Sequence, residues 1–164
     1  MTVLILCHGN ICRSPVAAAV MEQAGFSDIE TAGFKPEQGK KSPKKVRDYM
    51  LGNCSIDLEK HRSKAVTPEM LETAELVLYM DGGQAKRLEA LWASHGLEEK
   101  RGPWVNFCEP LARYLKEPGD KIGDPMFQKG GSEEFNLIMR QLIEASRNFV
   151  DQRSQAPIVT EGVA

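Results

Sequence analysis

Three features of the sequence predict an α/β fold, a single domain built on a four-stranded parallel sheet with helices on both faces. Apolar runs of strand length alternate with stretches of helical period, and no hairpin signal joins any two of them. The connections should therefore be right-handed βαβ crossovers. Leu76 to Met80 is apolar throughout with Val77 inside it, the pattern of a strand covered on both sides. Residues 3–15 pass from an apolar run into Gly-Asn and then Ser-Pro, which reads as strand, tight loop and helix start, a phosphate loop after the first strand.

With 164 residues, 41% of them hydrophobic and 27% charged, the chain can bury most of its apolar surface without staples. The domain is expected over residues 1–151, followed by a polar tail, 152–164, expected to be disordered. A formal net charge of −2 argues against nucleic acid as a partner. No apolar run approaches the roughly eighteen residues of a membrane span, so neither a span nor a signal peptide is expected. The four cysteines, Cys7, Cys12, Cys54 and Cys108, show neither a disulfide framework nor a zinc-type pair. A cytoplasmic chain without metal or cofactor is expected.

In order, Val3 to Leu6 is the first strand. Gly9 and Asn10 readily take positive φ. Ser14 suits an N-cap and Pro15 the first helical position. Loop amides and the positive end of the helix then form an oxyanion cradle. Cys7 opens this loop and Arg13 closes it, spaced Cys-x5-Arg. The cradle and the guanidinium favour a thiolate, and cysteines so placed have pKa values of roughly 3.5–7.5. Arg13 offers a planar fork to two oxygens of a tetrahedral anion, and Ser14 can donate to the Cys7 sulfur. The competing reading makes Cys7 a buried strand-end residue beside an ordinary turn. The strand, Gly-Asn and Ser-Pro signals lying in register favour a reaction site.

Cys7-His8-Gly9-Asn10-Ile11-Cys12-Arg13-Ser14-Pro15 resembles the signature loop of the low-molecular-weight protein tyrosine phosphatases. The resemblance spans roughly residues 1 to 150. It implies that His8, Gly9, Asn10, Ile11, Cys12 and Ser14 bind substrate around Cys7 and Arg13. His8 departs from the family, which more often has an apolar residue or threonine there; it is expected on the rim. The family also pairs the cysteines corresponding to Cys7 and Cys12 under peroxide, which implies a reversible shelter for Cys7.

Pro15 to Ala24 continues as an alanine-rich helix ended by Gly25. Ile29 to Ala32 is the second strand, and Thr31-Ala32-Gly33 resembles the family's Ser-Ala-Gly. In the family the following segment walls the cleft with an aromatic residue, for which Phe34 is the candidate. Residues 34–47 are rich in lysine; they read either as a solvated loop or as a surface favouring acidic phosphoproteins. A helix is expected over Pro43 to Leu51, stopped by Gly52, with Cys54 as filler in a turn. His61 reads as a hydrogen-bonded structural residue.

Thr67-Pro68 caps a short helix to Ala74. Asp81 ends the third strand and caps a helix over Gln84 to Ser94 that puts Leu88 and Trp92 in the core. Alternating Val105 and Phe107 suggest a fourth strand from Pro103 to Cys108. Asp124-Pro125 by itself is a turn signal, but the resemblance makes Asp124 the general acid, facing Cys7. Family members often follow Asp-Pro with two tyrosines; here Met126 and Phe127 stand, and Phe127 is a candidate for the cleft. Ser132 caps a last helix to about Asp151, with Phe135, Ile138, Met139, Leu142, Ile143 and Phe149 on one stripe.

The reading that follows is an enzyme hydrolysing phosphotyrosine proteins or small aryl phosphates through a phosphocysteine, as a monomer or weak dimer. Three alternatives stand beside it. Arsenate reductases share the loop but need two further cysteines after the third strand, where residues 80–95 have none. Protein arginine phosphatases carry threonine at the position of Ile11. A non-catalytic phosphate-binding module would not need Cys7, Arg13 and Asp124 together.

Overall fold

The computed structural model describes residues 1–154. Its sheet is parallel throughout, in the order β2-β1-β3-β4, where β1 is Val3–Cys7, β2 Ile29–Gly33, β3 Leu76–Tyr79 and β4 Cys108–Pro110. The expected fold class is the one observed. β1 lies inside, paired with β2 from Val3↔Ile29 to Cys7↔Gly33 and with β3 from Val3↔Leu76 to Ile5↔Leu78.

Alternate residues of a strand point to opposite faces, so β1 feeds two cores. Val3, Ile5 and Cys7 pack with α1 (Arg13–Gln23), α2 (Lys44–Cys54) and α6 (Glu133–Ser154). Leu4 and Leu6 pack with α3 (Pro68–Thr73), α4 (Gly82–Ser94) and α5 (Leu97–Arg101). Ala17 and Ala18 of α1 are buried, and their small side chains let α1 lie close beneath α6. The sheet grows from β1 in both directions, so the carboxyl end of β1 is a topological switch point, where parallel sheets open a crevice. Cys7 sits there.

Several local expectations are corrected. The fourth strand is not Pro103–Cys108 but Cys108–Pro110, preceded by a 3-10 turn over Trp104–Asn106. Val105 is 60% exposed, and Phe107 stacks on Trp92 beneath the Arg101 guanidinium, so packing on a helix produced the apparent alternation. Pro110 is tolerated because β4 is an edge strand. α2 runs through Gly52 to Cys54 and ends at Ser55 in the left-handed conformation; buried Val46 and Met50 outweigh the glycine's poor helix propensity. α5 was not expected. α6 reaches Ser154, so Gln152 to Ser154 are helical, and the rest of the expected tail lies outside the described residues. Among the described residues no helix is long and apolar enough to cross a membrane.

Gly33, at the end of β2, couples the sheet to the loop after β1. Its N–H donates to the Lys64 carbonyl at 2.9 Å and its carbonyl accepts from the Val66 amide at 2.9 Å. A Cβ here would lie 2.9 Å from the His8 carbonyl oxygen and 3.1 Å from the Asn10 amide nitrogen. Both are backbone atoms of the loop and cannot swing aside. Gly33→Ala should therefore cost about 1–3 kcal/mol of stability, the usual penalty of overpacking, and displace the loop. Thermal unfolding and vanadate inhibition measured together check this; an unchanged melting temperature and inhibition constant would contradict it.

Candidate active site

The loop from Cys7 to Arg13 is held from behind by side chains rather than by its own amides. Asn10 has φ 53° and is fully buried. Its Nδ2 donates to Ser14 Oγ at 2.8 Å, and its Oδ1 accepts from the Lys64 amide at 3.0 Å. Its carbonyl accepts from His61 Nε2–H at 2.6 Å, which fixes the neutral ring in that tautomer. Ser14 Oγ accepts from Asn10 and stands 3.0 Å from Cys7 Sγ, near enough to donate its proton to a thiolate there. The Phe34 and Lys35 amides donate to the Cys7 and His8 carbonyls at 3.1 and 3.0 Å. Among the described residues the amides of residues 9–12 meet no protein acceptor, leaving them available to an anion.

This geometry corrects two expectations. Only Asn10 of the Gly-Asn pair takes positive φ. Ser14 is not the helix cap: α1 begins at Arg13 after Cys12, without a side-chain cap, because the Ser14 hydroxyl is committed to Cys7 and Asn10.

Arg13 is 3% exposed and gathers three distant segments. Its Nη1 donates to Asp81 Oδ2 and to the Ile122 carbonyl, both at 3.0 Å. Its Nη2 lies 3.4 Å from Asp124 Oδ2. Burial by itself would raise the Asp81 carboxyl, but the Gln84 amide, Arg13 and the Gly83 amide together hold it below its usual range. Asp124 Oδ1 accepts from the Met126 amide at 3.0 Å, capping a 3-10 turn over Pro125–Phe127. Lys45 Nζ donates to the Met126 and Gln128 carbonyls at 2.8 and 2.6 Å, tying this segment to α2.

Cys7, His8, Gly9, Ile11, Cys12, Arg13, Asp124, Met126 and Phe127 line one slot of about 80 Å³, large enough for a phosphoryl group and little more. Phe127 is 83% exposed and Met126 44%, so an apolar rim stands at its mouth. Burial, then the neighbouring Asp124 and Cys7 charges, push the Cys12 thiol up to about 12, so Cys12 stays protonated beside Cys7.

Of the residues expected to contact substrate, Asn10 and Ser14 stand behind the slot, fully buried. Phe34 does not line the slot: it packs against the Leu4–Leu6 face of the sheet. The basic segment is largely paired within the protein, Lys40 with Glu37, Lys41 and Arg47 with Glu59, and Lys44 with Asp48. Asp81 is the expected helix cap, accepting from the Gln84 amide at 3.0 Å. Its bond to Arg13 crosses 68 residues of sequence and has no local signal. Among the described residues no group of three or more His, Cys, Asp or Glu side chains is placed to hold a metal ion.

Comparison with known proteins gives a family match and a shared fold. The family described as low molecular weight phosphotyrosine protein phosphatase matches residues 2–157. A probable low molecular weight protein-tyrosine-phosphatase, EpsP of Ralstonia nicotianae, is 35% identical over 91 residues, 54% of this chain. The match spans 61% of that relative's length. The solved tyrosine phosphatase Wzb of Escherichia coli K30, in complex with sulphate, superposes with a TM-score of 0.77 at 19% identity, covering 93% of this chain and 97% of that one. The YwlE arginine phosphatase of Geobacillus stearothermophilus gives 0.76 at 21%, covering 93% and 92%. At these identities the two structures show a common fold.

His61 connects the site to pH. Burial lowers its pKa below the ordinary 6.5, opposed in part by the bond to Asn10. The unfolded chain thus takes up a proton before the folded one does, and stability falls as pH drops below about 6.5 until the folded ring protonates. His61→Gln, which can still donate to the Asn10 carbonyl, should flatten this limb. Denaturation midpoints at pH 7.5 and 5.5 check it, above the range where the carboxylates titrate; equal pH dependence in both proteins would contradict it.

Proposed function

This chain belongs to the low molecular weight phosphotyrosine protein phosphatase family, and from that premise we propose that it hydrolyses phosphotyrosyl and other aryl phosphomonoesters through a phosphocysteine at Cys7. The observation that supports this most is that Cys7, Arg13 and Asp124 line one small slot although they lie on three separate elements.

In this reading a phosphomonoester dianion occupies the slot with its oxygens on the loop amides and Arg13. Nη1 of Arg13 is held by Asp81 and Ile122, so the Nε–Nη2 edge is the one offered to two phosphate oxygens. The Cys7 sulfur attacks phosphorus in line; the S–P bond forms as the bond to the aryl oxygen breaks. A tyrosyl leaving group has a free pKa of about 10, so it departs with the proton of Asp124. Fixed amides and the guanidinium already complement charge on the equatorial oxygens, and this preorganisation supplies most of the acceleration. The Asp124 carboxylate then takes a proton from water, the water oxygen attacks phosphorus, and the S–P bond breaks. Ser14, oriented by Asn10, donates to the departing sulfur. Each of these residues is supplied by one chain. A free-thiol nucleophile suits a reducing, cytoplasmic compartment.

Ile11 lines the slot and Met126 and Phe127 form its rim, surfaces that suit an aryl ring better than a guanidino group. Arsenate reduction is disfavoured because Cys108 is buried on the other face of the sheet and Cys54 ends α2, both away from the slot.

Cys7→Ser should abolish hydrolysis of an aryl phosphate, and Asp124→Asn should slow phosphotyrosine turnover by about 10²–10⁴-fold, the usual worth of general acid assistance. Steady-state rates on para-nitrophenyl phosphate, phosphotyrosine and phosphoarginine check all three assignments. Near-normal rates in either variant would overturn the mechanism, and preference for phosphoarginine would overturn the substrate class.

A further inference from the structure

A second hollow, of about 310 Å³, adjoins the slot and shares His8, Arg13, Asp124 and Phe127 with it. One molecule can therefore reach both. Its remaining walls are Asp81 and, from α4, Gly83, Gln84 and Arg87. Two features of these residues are unexplained by the chemistry at Cys7.

The first is an unmatched donor. Gln84 is 4% exposed, and its Oε1 accepts from the Met80 amide at 2.8 Å, which fixes the amide orientation. Its Nε2 is then buried, with no acceptor among the described residues. An unpaired buried N–H costs free energy, and with under 1 Å² of its surface open this one does not reach a ligand in the hollow as the side chain stands. The second is a cation without an anion. Arg87 is exposed, and among the described residues it forms no ion pair; its Nη1 donates to His8 Nδ1 at 3.2 Å. That bond leaves His8 Nε2–H and the other guanidinium N–H groups as donors. Asp81 and Asp124, which also line the hollow, both face Arg13 and are paired with it. The donors left open to a ligand are those of Arg87 and His8.

We propose that the hollow walled by Arg87, His8 and Gln84 binds a second anionic group of the same substrate, so that the enzyme prefers phosphotyrosine next to an acidic or phosphorylated residue. This rests on the hydrolytic reading above. The slot is filled by one phosphoryl group, whereas the hollow is large enough for a carboxylate or phosphate together with the side chain carrying it. Arg87 is the specificity-determining residue, since its fork matches either anion in a bidentate way.

The test compares kcat/KM on three phosphotyrosine peptides of equal length, with neutral neighbours, glutamate neighbours and a neighbouring phosphoserine. The quantity read is the ratio of the charged peptide to the neutral one within each protein, which is independent of how much of a variant is folded. In the wild type this ratio should be about three- to tenfold, the worth of a solvent-accessible charge-assisted contact, expressed in KM and reduced by salt. Arg87→Ala should bring it close to one, and Arg87→Lys should keep part of it. A larger ratio for the phosphoserine peptide supports a phosphate as the second anion, and a larger one for glutamate supports a carboxylate. Hydrolysis of all three peptides with a wild-type ratio near one, or a ratio unchanged in Arg87→Ala, overturns the second site alone. Failure of the wild type on every peptide overturns the hydrolytic reading, and the second site with it.

Discussion

Burial of the Arg13 guanidinium is the constraint around which the site is arranged. A cation 3% exposed is tolerated only where its charge and its N–H groups are answered. Here the answers come from Asp81 after β3, the Ile122 carbonyl, and Asp124 before α6. Removing one partner of a buried pair typically costs about 3–5 kcal/mol, mostly because a charge is left uncompensated. Two of these partners are partly open to solvent, so the figure here is smaller. The same requirement that keeps Arg13 in the fold brings the Asp124 loop over Cys7. Stability and the shape of the slot therefore depend on one set of contacts.

A second network gives the loop its shape. A short anion-binding loop must keep its amides unpaired toward the ligand, so something else must hold it. Asn10 does this with backbone and side chain together, bonded to His61, the Lys64 amide and Ser14. Its left-handed φ is a conformation that asparagine adopts more readily than most residues. Gly33 supplies the close approach that lets β2 and the segment around Lys64 support the loop from behind. Rigidity of this kind is what allows charge to be stabilised without reorganisation at the moment of reaction.

The charges around the cleft divide by position. Lysines of the segment before and within α2 are taken up by Glu37, Asp48 and Glu59, and Lys45 holds the carbonyls of the Asp124 segment. On the opposite rim, Arg87 faces the cleft with only His8 as its partner among the described residues. A dense run of lysines in sequence thus says less about a ligand than one arginine whose partners are missing, because exposed pairs neutralise each other at little energetic cost.

Much was legible in the sequence because it is written locally. Buried strands announce themselves by apolar runs, Cys-x5-Arg spans a single loop, and Asp124-Pro125 carries its own turn chemistry. Boundaries failed where packing overrode the local pattern: α2 passes Gly52 because Val46 and Met50 are buried, and the Val105–Phe107 alternation belongs to a 3-10 turn against Trp92. Phe34 lies away from the slot because its partners on the Leu4–Leu6 face are met only through tertiary packing. By itself the sequence determined the fold class and the loop that runs from Cys7 to Arg13, since backbone period and short-range spacing suffice for these. Only the tertiary structure decided that Asp81 shares Arg13, that His61 and Lys64 hold Asn10, and that Gln84 and Arg87 stand beside the slot. Those contacts join residues tens of positions apart, and no local preference of the chain encodes which distant partner will meet a buried charge.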